Sequence, residues 1–282
     1  MMFFLSKYQA NEILKAYKRG LTEYQVSLNL GRSIDKIEIS DGSVIFPDEQ
    51  RISLDLIKKI NDDSCVIVDN NKLLKIQFFS KETNKIYRLV ATSMWAPPTL
   101  EISGIRMHRT KGTNPLEDTL SKIDAIKPIE GRLLDTCMGL GYTAISAMKE
   151  NATEVITVEN DPNVIEIVRI NPWSEELWKN RRIKIIRGDI LEEIARFEDR
   201  YFNIIIHDPP RFALAGELYS EDFYSELYRV LDSKGKLFHY TGNPGSRYRG
   251  KDFISGIIKR LNNAGFKRTR RYENALGVVA KK

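Results

Sequence analysis

Beyond Asn114 the sequence alternates two textures, and that alternation limits the fold more than any other feature. Short apolar runs (Arg132 to Asp135, Glu154 to Glu159, Ile183 to Gly188, Phe202 to His207, Lys236 to Tyr240) are each followed by a stretch with helical spacing. Those stretches are Tyr142 to Glu150, Pro162 to Ile170, Ile190 to Phe197, Glu221 to Leu231 and Lys251 to Ala264. Helices interleaved with buried strands imply βαβ units around a parallel sheet. The pattern breaks at the end, where Phe266 to Tyr272 and Leu276 to Ala280 are strand-like with only a short turn between. That predicts an antiparallel hairpin closing the sheet.

Residues 1–112 read differently, as a small N-terminal domain that could bind substrate. Ser6 to Gly20 has the spacing of a short helix, with Gly20 as its C-cap. Short β-like runs follow (Ile37–Ile39, Ser43–Phe46, Cys65–Val68, Leu73–Phe79, Ile86–Val90), separated by Asp41-Gly42, Asp69-Asn70-Asn71 and Glu82-Thr83-Asn84. A helix over Leu54 to Ile60 interrupts them, and Ala96-Pro97-Pro98-Thr99 breaks regular structure near the end. The expected division is 1–112 and 113–282. The fold class is α/β: a Rossmann-like sheet of seven strands with its last strand antiparallel, preceded by a mostly β domain.

Composition excludes several classes. Of 282 residues, 42% are apolar and 29% charged, a balance that suits a soluble globular chain. No apolar stretch nears the roughly 18 residues that span a bilayer, and Met1-Met2-Phe3-Phe4-Leu5 is too short for a signal-peptide core. Cys65 and Cys137 make no disulfide framework, and His108, His207 and His239 are too scattered for a metal cage. The expectation is a cytoplasmic protein without metal. The charge is polar along the chain. Residues 234–282 hold 13 Lys/Arg against Asp252 and Glu273, a surplus of +11, whereas residues 113–233 hold 14 basic and 23 acidic side chains.

The first strand of the second half ends in Asp135-Thr136-Cys137-Met138-Gly139-Leu140-Gly141-Tyr142-Thr143-Ala144. Glycines where a strand turns into a helix let a ligand approach the backbone. Gly139-x-Gly141-x-x-Ala144 with Glu159 fits a dinucleotide fingerprint. Asp135-x-x-x-Gly139-x-Gly141 equally fits an S-adenosylmethionine (SAM) loop. The other strand ends favour SAM. Arg187-Gly188-Asp189-Ile190 places a carboxylate near an adenine amino group, and His207-Asp208-Pro209-Pro210 follows a buried strand. Each proline lacks an N–H and has a fixed φ, so the carbonyl and carboxylate of Asp208 are held as acceptors at the edge where α/β sheets bind ligands.

With four acidic strand tips and a terminal hairpin, residues from about Thr113 to Lys282 resemble the class I SAM-dependent methyltransferases. The whole chain is similar to an uncharacterised archaeal group of them. The resemblance implies that Asp135, Gly139 and Gly141 line the methionine end of SAM, that Glu159 binds the ribose, and that Asp189 and Ile190 flank the adenine. Asp208-Pro209-Pro210 looks like the (Asp/Asn)-Pro-Pro-aromatic motif of enzymes that methylate nitrogen. Cys137 stands where many members have glycine. Arg211 takes the aromatic position, with Phe212 one residue later.

Methyl transfer from a sulfonium, here expected to a nitrogen, needs proximity and orientation more than acid catalysis. Asp208 would bind the substrate N–H groups, and Phe212 would stack on a flat substrate. Arg211, Tyr240 and Asn243 are weaker substrate-binding candidates. Neither cysteine suits a pyrimidine carbon methylase. The basic C-terminal stretch, with Arg247-Tyr248-Arg249-Gly250-Lys251 and Lys267-Arg268-Thr269-Arg270-Arg271-Tyr272, points to RNA (tRNA or rRNA) as partner and substrate. The acidic central region suits a small amine instead, or aminopropyl transfer to a polyamine. A SAM- or RNA-binding module without catalysis is the third reading.

Overall fold

The computed structural model describes residues 2–242 and 247–282, without the side chains of residues 247–252. Asn243 and the side chains of the Arg247–Lys251 run therefore lie outside the described residues. The chain divides into two compact units: Met1–Leu116 with Glu166–Glu175, and Glu117–Ile165 with Glu176–Lys282. The boundary thus falls four residues later than the sequence suggests, and a ten-residue segment from the second half groups with the first unit.

In the first unit a helix runs over Lys7–Lys18. Ser6 and Gln9 form a reciprocal capping box at its start. The unit's strands form three small antiparallel sheets. Phe3–Leu5 is a strand that the sequence does not announce, because its three residues are all buried and show no alternation; it pairs with Val66–Asp69. The run Leu73–Phe79 is two strands, Lys72–Lys75 and Gln77–Ser80, in different sheets.

The second unit is a seven-stranded sheet: β1 (Gly131–Asp135), β2 (Ala152–Glu159), β3 (Ile183–Arg187), β4 (Phe202–His207), β5 (Leu231–Tyr240), β6 (Lys267–Tyr272) and β7 (Gly277–Lys281). Its order is β3-β2-β1-β4-β5-β7-β6, with β7 antiparallel to both neighbours and every other adjacent pair parallel. The helices used below are α1 (Pro115–Asp124), α2 (Tyr142–Lys149), α3 (Pro162–Ile170), α4 (Glu221–Val230) and α5 (Arg247–Asn263). Asn114 accepts the Leu116 N–H at 3.0 Å and caps α1, and Pro115 takes the position where a missing N–H costs nothing. The expected helix over Ile190–Phe197 is shorter, Ile190–Glu193, and tightens into a 3-10 turn over Ile194–Arg196. The core lies between sheet and helices, where Leu134, Ile205 and Leu237 from the strands meet Leu227 of α4 with Ile257 and Leu261 of α5.

This topology brings the C-terminal ends of β1 to β5 to one edge. Between β1 and α2 the chain must reverse within a few residues, and Gly141 makes this possible with φ at +76°. A Cβ there would lie 2.2 Å from Cδ1 of the buried Leu177. Gly141→Ala should therefore destabilise the protein by about 1–3 kcal/mol, read as a lower urea midpoint with an unchanged slope.

Candidate active site

Asp135 ends β1 and is 1% exposed. Its Oδ2 accepts a hydrogen bond from the Thr157 hydroxyl at 2.7 Å, whereas Oδ1 is buried and has no partner among the described residues. An unpaired buried carboxylate oxygen is costly. Burial accordingly pushes the Asp135 carboxyl up to about 7, although the Thr157 bond opposes this. The loop beyond it is pinned from both sides, by the Thr136 N–H on the Ile206 carbonyl (3.0 Å) and the Met138 N–H on the Val158 carbonyl (2.8 Å). Gly139 has φ at +52°, and nothing lies within 4 Å of the position its Cβ would take. That space is open to a ligand.

Glu159 at the end of β2 holds the same loop. Its Oε2 accepts the Gly139 N–H and its Oε1 the Asp161 N–H, both at 3.0 Å. Burial again dominates and raises this carboxyl to about 7. Each oxygen retains a second lone pair. Asp189, beyond β3, caps the Ile190–Glu193 helix by accepting the Leu191 N–H at 2.9 Å, and Asn160 lies 3.4 Å from its other oxygen. Ile190 is 4% exposed and packs in the core cluster.

Asp208 follows β4. Its Oδ2 accepts from the Lys122 ammonium at 2.6 Å, and Oδ1 has no partner among the described residues. Lys122 is 2% exposed. It also pairs with Asp118, one turn earlier on α1, at 3.0 Å, and lies over the Tyr240 ring at 4.7 Å. Burial would strip its proton. Asp208 and Asp118 overcome this, and the ammonium is held well above the ordinary lysine range. Burial likewise raises the Asp208 carboxyl, with Lys122 opposing.

Beneath this loop lies a layer of neutral imidazoles and aromatic rings. The Leu218 carbonyl can only accept, so Nε2 of His207 carries the proton (2.9 Å) and Nδ1 accepts from the Thr136 hydroxyl (2.7 Å). Burial lowers His207 to about 4. His239, 4.5 Å away between ring centroids, sits 2.8 Å from the Tyr224 hydroxyl. The Tyr219 hydroxyl donates to the Pro210 carbonyl at 2.9 Å and so fixes the second proline. Phe212 is 51% exposed and meets the rings of Tyr219 and Phe253 edge-on, at 5.4 and 5.7 Å. Arg211 is exposed, and the Leu214 N–H closes a turn on its carbonyl at 2.7 Å.

Asp135, Gly139, Glu159 and Asp208 thus come to one edge of the sheet. Lys122, Asp118, Thr157 and Tyr219 were missed by the sequence reading. A signal for the first two exists: residues 115, 118, 119, 122, 123 and 126 are buried at helical spacing, so Asp118 and Lys122 fall on the stripe that Ile123 and Ile126 mark as inward. Among the described residues no group of three or more His, Cys, Asp and Glu could hold a metal, and no helix is long and apolar enough to cross a membrane.

The sheet order, the single antiparallel strand and the glycine loop beyond β1 define the class I SAM-dependent methyltransferase-like fold. Comparison with known proteins narrows this. The chain is 49% identical over 286 residues to the uncharacterized protein MJ1233 of Methanocaldococcus jannaschii, covering 100% of this chain and 96% of that protein, and it belongs to the same family. Residues 117–235 match the family described as Conserved hypothetical protein 95. A polyamine aminopropyltransferase of M. jannaschii is 28% identical over 132 residues, which span 46% of this chain and 44% of that protein. The crystal structure of spermidine synthase from Thermotoga maritima superposes with a TM-score of 0.56 at 18% identity, covering 75% of each chain.

The unpaired carboxylate has a measurable consequence. Folding raises the Asp135 carboxyl from an ordinary value near 4 to about 7, so the native protein binds that proton more tightly than the unfolded chain. Its contribution to stability is full below pH 4 and is lost as pH rises through 7. Stability of the ligand-free protein should fall across that window, and Asp135→Asn should flatten the fall, as urea titrations at pH 4 to 8 would show.

Proposed function

We propose that this protein transfers an alkyl group from SAM, or from its decarboxylated form, to a nitrogen nucleophile, and that a small amine of the polyamine type is the acceptor its site suits best. One observation carries the reading. Among the described residues Oδ1 of Asp135 is buried without a partner and only Oδ2 of Asp208 is engaged, at the ends of adjacent parallel strands where Asp135 stands opposite Ile206. The two carboxyls interact electrostatically, and Gly139, four residues beyond Asp135, leaves open space at the same strand ends.

The residues fit the donor. Asp135 would take a cationic amino group on its bare oxygen. Glu159 would take ribose hydroxyls on its remaining lone pairs, and Asp189 would accept from the adenine amino group. When bound, the sulfonium supplies an electrophilic carbon: the nucleophile's lone pair forms the N–C bond while the C–S pair leaves with sulfur. Asp208 orients the nitrogen by accepting its N–H and takes up the developing positive charge. Pro209 and Pro210 keep its carbonyl free of local N–H donors, and Phe212 offers an exposed ring beside it. His207 and His239 are buried and neutral and hold the floor of the loop. Cys137 is no nucleophile, because burial pushes its thiol well above the ordinary range. Two carboxylates around one lysine leave a net negative charge that favours a cationic amine, and the relation to a polyamine aminopropyltransferase supports that class.

A second reading, RNA as acceptor, has its own observation. The register runs from His207 through His239 and Val278 to Arg271, so Arg271 stands in one row with the residue before Asp208, about 14 Å away across three strand spacings. Lys267, Arg268, Arg270 and Arg271 are exposed on that edge strand. A phosphate there could accompany a base at Asp208.

Purified protein should be incubated with tritiated methyl-SAM, and separately with decarboxylated SAM, each against polyamines and against total RNA. Label in an amine, reduced about 10²–10⁴-fold by Asp208→Ala while cofactor binding persists, is the expected result. Label in RNA alone, lost at high salt and in Arg271→Glu, would move the conclusion to the second reading. No transfer to either would overturn both.

A further inference from the structure

We propose that Lys122 is the positioning residue of this site: by holding Oδ2 of Asp208 it fixes the carboxylate in one orientation, so that Oδ1 alone receives the N–H of the nucleophile. The inference rests on the transfer reading above and assigns a role to a residue that the motif does not contain.

The geometry is closed on every side. Lys122 has Asp208 at 2.6 Å, Asp118 at 3.0 Å and the face of Tyr240 at 4.7 Å, and it is 2% exposed. A lysine gives up much conformational freedom to stay in such a place. Its charge also opposes any cation that enters, so a pair serving stability alone would be served as well by apolar side chains. Asp118 offsets the second cost, since two carboxylates around one ammonium leave the cluster at −1. What remains specific to the arrangement is direction. A free carboxylate can rotate and present either oxygen, whereas one held at 2.6 Å by a buried ammonium presents only the other.

In the transfer the nitrogen lone pair forms the N–C bond, the C–S pair leaves with sulfur as a neutral thioether, and the nitrogen's proton passes to Oδ1 of Asp208 and from there to water. Lys122 keeps its proton throughout. Among the described residues, the charged and titratable groups that face Asp208 are Asp118 and Lys122 on α1, Asp135 at the end of β1, Cys137 beyond it and Tyr219 before α4, with the Tyr240 ring of β5 against Lys122. Lys122 is the cation among them.

The test reads the carboxylate itself. Protein labelled with 13C at Asp Cγ would be titrated by NMR, with the Asp208 signal assigned from Asp208→Asn. Because Lys122→Met leaves Asp118 and Asp208 to repel each other, the double variant Lys122→Met/Asp118→Asn carries the test. Its Asp208 titration should move upward by about one unit or more, and Lys122→Arg should restore it toward wild type. In turnover, the acid limb of the pH profile should move upward with it, and kcat should fall about tenfold or more with little change in the cofactor KM. An Asp208 signal that titrates alike in wild type and double variant would overturn the proposal. A shifted signal in a protein that binds neither SAM nor S-adenosylhomocysteine by calorimetry would sink the transfer reading instead and leave the Lys122 assignment standing.

Discussion

Lys122 ties the helix before the sheet to the strand that carries the Asp-Pro-Pro turn. An ammonium removed from water is tolerated only where opposite charges close around it. Here they come from two elements, Asp118 on the same helix and Asp208 on β4, with the Tyr240 ring of β5 as a third wall. The pairing therefore fixes more than a charge. It sets where α1 lies against the ends of two strands and which atoms of the Asp208 turn remain free.

A second constraint acts from below. His207 and His239 sit in one row of the sheet with neither exposed to solvent, and their ring nitrogens are joined to Thr136, the Leu218 carbonyl and Tyr224. Imidazoles held neutral in this way act as shaped polar spacers. They bind the loop after β1, the segment before α4 and α4 itself to the same strand ends. The Nδ1 atom of His239 is buried without a partner among the described residues, a residual cost inside an otherwise connected layer.

Much of the second unit was legible because its signals are local. The alternation of strand and helix sets the parallel sheet, and glycines four and six residues beyond an acidic strand end set the loop. Asp135, Glu159 and Asp208 come together because they end strands β1, β2 and β4, which are consecutive neighbours in the sheet. Lys122 was not legible in that way. Its partner Asp208 is 86 residues distant, and on its own helix the Asp118–Lys122 spacing looks like an ordinary surface pair until the inward stripe is counted. Ile190, which the family resemblance sets beside the adenine, has its side chain in the core cluster. In the first unit, Phe3–Leu5 carries no sequence signal, because a strand buried on both faces has no alternation to detect.

The position of β7 also governs the order in which the molecule can be assembled. This strand follows β6 in the chain yet lies between β6 and β5. Until β7 is in place, the arginine-bearing strand has nothing to pair with and the far side of β5 stays a bare hydrogen-bonding edge. Only then do Tyr240, Gly277 and Tyr272 fall into line. β6 therefore joins the sheet only through β7, and the short connection between them decides whether the arginine-bearing strand reaches the row that ends at His207.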